Sequence, residues 1–109
     1  MNTKRLLWWL LAGTRGGSNR ARIISTLHER PFNAHQLAQH LDLDYKTIRH
    51  HLDLLVEHGI VASQGEGYGT VYLLTEEMEN AYDQFSEIWQ KMERGSSKVL
   101  LKGEVGMNE

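Results

Sequence analysis

The chain contains no cysteine. This absence excludes disulfide bonds, thiolate metal sites and cysteine nucleophiles together. The longest apolar run, residues 6–12, has only seven residues, far below the ~20 that a transmembrane helix needs. Seven residues also lie at the lower end of the ~7–15 typical of a signal peptide. We therefore expect this run to form a buried helix, with no contact to a membrane.

Neither sign of charge dominates the chain as a whole, but the two signs are unevenly distributed. The formal net charge is −2. Residues 1–58 contain eight Lys or Arg, five Asp or Glu and all six histidines, whereas residues 59–109 contain four Lys or Arg and nine Asp or Glu. A mildly basic half followed by an acidic half is compatible with a first half that binds nucleic acid and a second half that contacts protein.

Two amphipathic helices joined by a very short link are predicted between residues 34 and 58. Apolar residues recur at spacings of three and four over 34–41 and over 45–58, which indicates helices that each bury one face. We expect the inner side of the second helix to consist of Ile48, Leu52, Leu55 and Val56. Because the link is so short, the helices must cross at a steep angle. This arrangement is a helix-turn-helix, whose second helix can present its polar face to a DNA major groove.

Capping residues mark the ends of both helices. Asn33 followed by Gln36 three residues later fits a capping box before the first helix. Asp44 is a suitable N-cap for the second helix, and Gly59 follows it at a position that favours a left-handed conformation. Asp42 occupies the turn, where it can adopt the left-handed conformation at some cost.

Further predicted elements lie on both sides of this motif. Residues 19–30 form a helix that Pro31 ends, with Ala21, Ile23, Ile24, Leu27 and His28 on its inner side. After the motif, the β-prone segments 60–64 and 70–74 enclose a glycine-rich turn, which indicates a β-hairpin.

A last helix is predicted from Glu76 to about Arg94, with Thr75 as its N-cap. Large apolar residues recur along it at steps of four and three, a pattern typical of a coiled-coil seam. The same stripe also fits a helix packed on its own domain. Residues 95–109 show no periodicity and are expected to be a flexible tail.

Residues 3–94 resemble the ArsR-like winged-helix transcriptional regulators. The most specific similarity lies in residues 36–61, QLAQHLDLDYKTIRHHLDLLVEHGIV, which include the Leu-Ala, Thr-Ile, His-Leu and Gly-Ile-Val steps of that family. The resemblance implies one winged helix-turn-helix domain over residues 1–94, mainly α with a two-stranded wing, in the order α-α-α-α-β-β-α. It also implies a prokaryotic, cytoplasmic regulator that binds double-stranded DNA as a homodimer through its N- and C-terminal helices.

Candidate DNA-binding residues lie mainly on the second helix of the motif. Arg49 is the first candidate for a base contact, because a guanidinium can bond bidentately to guanine O6 and N7. Arg20 and Arg22 are expected to reach phosphates from the start of the preceding helix, and Tyr68 lies at the tip of the wing. His51 is expected to be packed or to bond a phosphate. The other candidates on the second helix are Tyr45, Lys46, Thr47 and His50.

Candidate dimer-interface residues come from the first and last helices. Their apolar side chains exceed what a small three-helix core needs to cover. The candidates are Leu6, Leu7, Trp9, Leu10, Met78, Tyr82, Phe85, Trp89 and Met92.

Catalytic and metal-dependent functions find no support in the sequence. No glycine-rich phosphate loop follows a strand, and the histidines and carboxylates have no spacing typical of a metal or catalytic site. We therefore expect no enzymatic activity, no metal site and no cofactor. The sequence leaves the existence of a small-molecule effector open. A different function class stays open, namely a winged helix that binds other proteins of the transcription machinery without reading DNA.

Overall fold

A computed structural model describes the secondary structure of residues 2–108 and the side chains of residues 2–95. Its fold is a winged helix-turn-helix, as predicted. The elements in chain order are α1 (Thr3–Leu11), α2 (Gly17–Glu29), α3 (Ala34–Leu41), α4 (Tyr45–Glu57), β1 (Val61–Gln64), β2 (Val71–Leu74), α5 (Glu76–Asn80) and α6 (Tyr82–Asn108). One turn of 3₁₀ helix, Gly67–Gly69, lies between the two strands.

The end of the chain differs from the sequence prediction. A single helix was expected to end at about Arg94, but the chain forms the short helix α5 and then α6, which continues to Asn108. Most of the predicted tail, 95–109, therefore lies in a helix. Its side chains beyond Gly95 are outside the described residues, and its flexibility stays a prediction.

Local capping interactions fix the helix-turn-helix. The Asn33 Oδ1 accepts a hydrogen bond from the Gln36 amide at 2.8 Å, and the Gln36 Oε1 accepts one from the Asn33 amide at 2.9 Å. The Asp44 carboxylate accepts from the first-turn amides of α4. Asp42 adopts the left-handed conformation at φ 54°, and Gly59 does so at φ 73°. The Asn33 and Asp44 side chains satisfy backbone donors that a helix start leaves unpaired.

The hydrophobic core lies where all six helices meet the base of the hairpin. Ile48, Leu52 and Leu55 of α4 are fully buried, as predicted. Val56, expected on the same inner side, is 38% exposed. His28 was expected to face inward from α2, but it is exposed; its ring stacks on Tyr82 at 3.6 Å and its Nδ1 lies 3.0 Å from Glu79. Both corrections concern positions at the edge of the apolar stripe, where helical spacing alone does not decide burial.

The wing is a two-stranded antiparallel sheet. Val61 pairs with Leu74 and Gln64 with Val71 at its two ends. Phe32, in the link between α2 and α3, forms a bridge to Tyr72: its amide donates to the Tyr72 carbonyl at 3.1 Å and its carbonyl accepts from the Tyr72 amide at 2.8 Å. The base of the wing is thus attached to the helical part of the domain.

None of the helices in the described part of the chain combines the length and the apolar character that crossing a bilayer requires.

Candidate nucleic-acid interface

Helix α4 presents a polar face to solvent because its apolar face is held in the core. The anchoring residues Ile48, Leu52 and Leu55 are 0% exposed. On the opposite side, four of the predicted contact residues are exposed and Thr47 is half-buried. The exposed four are Tyr45, Lys46, Arg49 and His50. A rigid helix with this distribution can enter a major groove without unpacking the domain.

Arg49 is held along the axis of α4 by its neighbours. Its guanidinium Nη1 donates to the Tyr45 hydroxyl at 3.1 Å, and its Nη2 lies 3.8 Å from the Asp53 carboxylate. The hydrogen bond to Tyr45 is the main reason why the pKa of Arg49 is raised. Both interactions are exposed to water and contribute little energy each. The Arg49 side chain can therefore exchange these weak contacts for contacts to a ligand.

A cleft lies between the first turn of α4, the start of α3 and the wing. Its wall includes His35, Tyr45, Arg49, Tyr68 and Thr70. The His35 and Tyr45 rings stack with their centroids 4.4 Å apart, which fixes the direction of Tyr45. Tyr68 is 99% exposed. The structure thus brings the predicted wing residue and the start of α4 to two sides of one cleft.

Arg20 is not on this surface, contrary to the sequence prediction. It is 2% exposed. Its Nε donates to the Leu10 carbonyl at 2.8 Å, and its Nη2 donates to the Arg15 carbonyl at 2.8 Å and to the Thr14 hydroxyl. Arg20 therefore connects the end of α1 to α2, and we withdraw it as a phosphate contact.

Arg22 is half-buried and also has an internal partner. Its Nη2 donates to the Leu41 carbonyl at 2.7 Å, and its Nη1 lies 3.4 Å from the Asn19 side chain. A guanidinium at the end of α3 satisfies one of the carbonyls that a helix C-terminus leaves free. Its role in DNA binding stays a prediction, and we do not include it in the proposed interface.

His51 faces inward from α4 and completes a buried polar cluster. It is 5% exposed, and its Nδ1 lies 3.2 Å from Nη1 of Arg20. Burial, then the neighbouring charge of Arg20 and then that of His50 lower the pKa of His51 to about 4. The sequence gives no sign that Arg20 and His51 are in contact, because residues 31 positions apart leave no signal in helical periodicity.

The lowered pKa of His51 predicts that the folded protein loses stability in mild acid. The unfolded chain binds a proton near the ordinary pKa of 6.5, whereas the folded chain resists it until about pH 4. As the pH is lowered from 6.5 towards 4, the free energy of unfolding should fall by up to about 1.4 kcal/mol for each pH unit. His51 alone accounts for this part of the loss. Urea denaturation at several pH values should show a steeper fall for the wild type than for His51→Asn. The exposed control His40→Asn should keep the wild-type slope; equal slopes for all three would contradict the prediction.

The predicted dimer-interface residues divide into two groups. Leu7, Leu10, Met78 and Phe85 are at most 1% exposed within a single chain, so they cannot contact a partner without opening the core and are removed from the interface. The apolar stripe of the last helix thus packs partly within its own domain. Ile88, which was not among the predicted apolar positions of this helix, is also buried there. Five candidates keep accessible surface. They are Leu6, Trp9, Tyr82, Trp89 and Met92.

The described part of the chain contains no group of three or more His, Cys, Asp or Glu side chains that could hold a metal ion.

Comparisons with known proteins agree with the geometry. Residues 17–63 match the family model described as bacterial regulatory protein, arsR family. No curated protein matches the chain at the sequence level. Reduced HlyU from Vibrio cholerae is 18% identical with a TM-score of 0.61, and the match covers 79% of this chain and 88% of that one. A probable transcriptional regulator from Pseudomonas aeruginosa is 14% identical with a TM-score of 0.67, over 97% and 88% of the two chains. A MarR family transcriptional regulator from Silicibacter pomeroyi is 17% identical with a TM-score of 0.63, over 94% and 78%. At these identities the solved structures establish the fold.

Proposed function

We propose that this chain binds double-stranded DNA in a sequence-specific way as a homodimer, with α4 in the major groove. The match of residues 17–63 to the arsR-family model supports a DNA-binding transcriptional regulator. The observation that carries this proposal is the exposed polar face of α4, fixed to the core by three fully buried side chains. Family members of this kind are typically not enzymes, and we propose no catalytic activity.

Each side chain of the interface has a distinct role in this proposal. Arg49 reads a guanine through two hydrogen bonds, and His50 donates to the same groove. Lys46 and Thr47, at the start of α4, contact the phosphate backbone, which adds affinity without sequence information. Tyr45 directs Arg49, and Tyr68 contacts the backbone from the wing. The wing residues 61–74 contain no Lys or Arg, so we expect the wing to contribute less than α4.

Fluorescence anisotropy with the duplex upstream of the gene and a scrambled duplex tests this function. Arg49→Ala should weaken binding to the native site by about 1–3 kcal/mol and relax discrimination at one base pair. Lys46→Ala should weaken binding to both duplexes and reduce the salt slope by about 1. Lys91→Ala, which changes an exposed lysine of α6, is the matched control and should have no effect.

The same comparison is made with a duplex that the wild type selects from a random library. If the wild type, Arg49→Ala and Lys46→Ala all bind this duplex equally well, the proposal is wrong. The near-neutral charge and the wing without basic residues would then favour a protein-interaction module.

We propose that the homodimer forms through the accessible apolar residues of α1 and α6 within the domain 1–94. Trp9 is 43% exposed, and Trp89 is half-buried on α6. Sedimentation equilibrium should give twice the 12.6 kDa of one chain, and Trp9→Glu or Trp89→Glu should shift the mass towards one chain, because a carboxylate is costly to bury. Tyr68→Glu, on the wing, should leave the mass unchanged. A wild type that sediments as a single chain at micromolar concentration would contradict the dimer.

A further inference from the structure

Arg49 has two partners on α4, one on each side of it along the helix. The Tyr45 hydroxyl, four residues before Arg49, accepts a hydrogen bond from Nη1 at 3.1 Å. The Asp53 carboxylate, four residues after Arg49, lies 3.8 Å from Nη2. Both contacts are exposed to water, so neither is strong. The position of the guanidinium along α4 therefore depends on which of the two partners is better held in place.

Tyr45 is the better held partner, because a residue of another helix fixes its ring. His35, the second residue of α3, stacks on Tyr45 with the ring centroids 4.4 Å apart and an interplanar angle of 19°. Such a stack favours one orientation of both rings. The Asp53 side chain is 69% exposed, and an exposed ion pair costs side-chain entropy to form. The stack thus favours the hydrogen bond of Arg49 to Tyr45 over its ion pair with Asp53.

His35, Tyr45 and Arg49 all line the cleft between α3, α4 and the wing. The hydrogen bond to Tyr45 holds the guanidinium towards the start of α4, at this cleft. Because a guanidinium has five donors, Arg49 can keep this bond and still offer two donors to a guanine. Without the bond, Asp53 would draw the guanidinium towards the end of α4. Successive base pairs are only about 3.4 Å apart, so a small displacement along the groove changes the base that Arg49 can reach.

We propose that His35 is a specificity-determining positioning residue, which sets the base pair that Arg49 reads by stacking on Tyr45. This inference rests on the proposed function and deepens it. His35 does not contact the base, and it acts through the other two side chains. It was not among the predicted DNA-binding residues, because the stack joins two different helices and leaves no signal in helical periodicity. Base recognition by α4 thus depends on a side chain of α3.

Fluorescence anisotropy with the library-selected duplex and its single-base-pair variants tests this role. The base pair that Arg49 reads is the position at which Arg49→Ala loses discrimination. At that position His35→Ala should reduce discrimination by about threefold to tenfold, as for the loss of one aromatic pair or one hydrogen bond. Discrimination at the other positions and the salt slope should stay unchanged, because the phosphate contacts are the same.

Conservative variants test each step between His35 and Arg49. His35→Phe keeps a flat ring for the stack and should restore discrimination to the wild-type value. Tyr45→Phe keeps the ring but lacks the hydroxyl, and it should lose about as much discrimination as His35→Ala. The matched control is His40→Ala. His40 is also an exposed histidine of α3, but its ring lies against Phe32, so this variant should read DNA as the wild type does.

A double-mutant cycle tests whether His35 acts through Arg49. In the Arg49→Ala background, His35→Ala should cause no further loss of discrimination at the position that Arg49 reads. A further loss there would show that His35 contacts the DNA itself, and the positioning role would be wrong.

The same measurements separate the failure of this inference from the failure of the proposed function. If Arg49→Ala loses discrimination at one position and His35→Ala behaves as His40→Ala, the positioning role is wrong and the proposed function stands. If His35→Ala weakens binding to every duplex equally, its effect is not one of base recognition, and the positioning role is again wrong. If the wild type binds all duplexes equally, both are wrong.

Discussion

Gly17→Ala is expected to destabilise the fold by at least about 3 kcal/mol, a large part of the stability of a small domain. A Cβ at position 17 would lie 1.7 Å from the Leu11 carbonyl oxygen and 2.9 Å from the Leu11 Cα. Both contacts are with backbone, so no side chain can rotate away and α1 and α2 must move apart. The backbone of Gly17 is helical, so the cost is entirely one of space.

Thermal or urea unfolding followed by circular dichroism measures this effect, and Gly95→Ala is its matched control. Gly95 also lies in a helix, but a Cβ there has no neighbour within 4 Å among residues 2–95. Alanine at position 95 should be neutral or stabilise α6 by up to about 1 kcal/mol. A Gly17→Ala variant as stable as Gly95→Ala would show that the corner between α1 and α2 can open freely.

Arg20→Ala is expected to cost about 3–5 kcal/mol of unfolding free energy. The guanidinium binds the Leu10 and Arg15 carbonyls, the Thr14 hydroxyl and His51. Removing it takes a donor from two buried acceptors, the Leu10 carbonyl and His51 Nδ1, and from two partly buried ones. A buried acceptor left without a donor costs about 1–3 kcal/mol. A cavity adds to the loss. Burial also lowers the pKa of Arg20.

Arg20→Met separates the hydrogen bonds from the volume, because methionine fills much of the same space without a donor. We expect this variant to recover only the cavity part of the loss in urea denaturation. Arg22→Met is the matched control, since Arg22 is half-buried and donates to one carbonyl and one side chain, and about 1 kcal/mol is expected. Full stability of Arg20→Met would mean that the buried guanidinium is energetically dispensable, as some buried charges are.

The parts of the fold that local interactions determine were predictable from the sequence. The capping box at Asn33 and Gln36, the Asp44 cap and the left-handed Asp42 all involve residues within a few positions of one another. The bounds of α3 were therefore predicted to the residue, and the hairpin strands to within one residue. The exposed residues of α4 followed from its apolar face in the same way.

The parts that depend on distant contacts were not predictable. The sequence does not show whether an arginine near the start of a helix contacts a phosphate or lies in the core. Arg20 lies in the core because Leu10, Arg15 and His51 are placed to accept its hydrogen bonds. Likewise, the spacing of Met78 and Phe85 predicted an apolar face but did not identify its partner. Both side chains are buried within their own chain.

The bridge between Phe32 and Tyr72 has a consequence for association between molecules. A short two-stranded sheet exposes two edges that can pair with strands of other chains and start aggregation. Here the outer edge of β2 is occupied at its centre by Phe32, and the preceding residue, Pro31, has no amide hydrogen to extend the pairing. The edge is closed by the chain's own backbone. Pairing of another chain along β2 is therefore blocked, which favours self-association through helices over self-association through this edge of the wing.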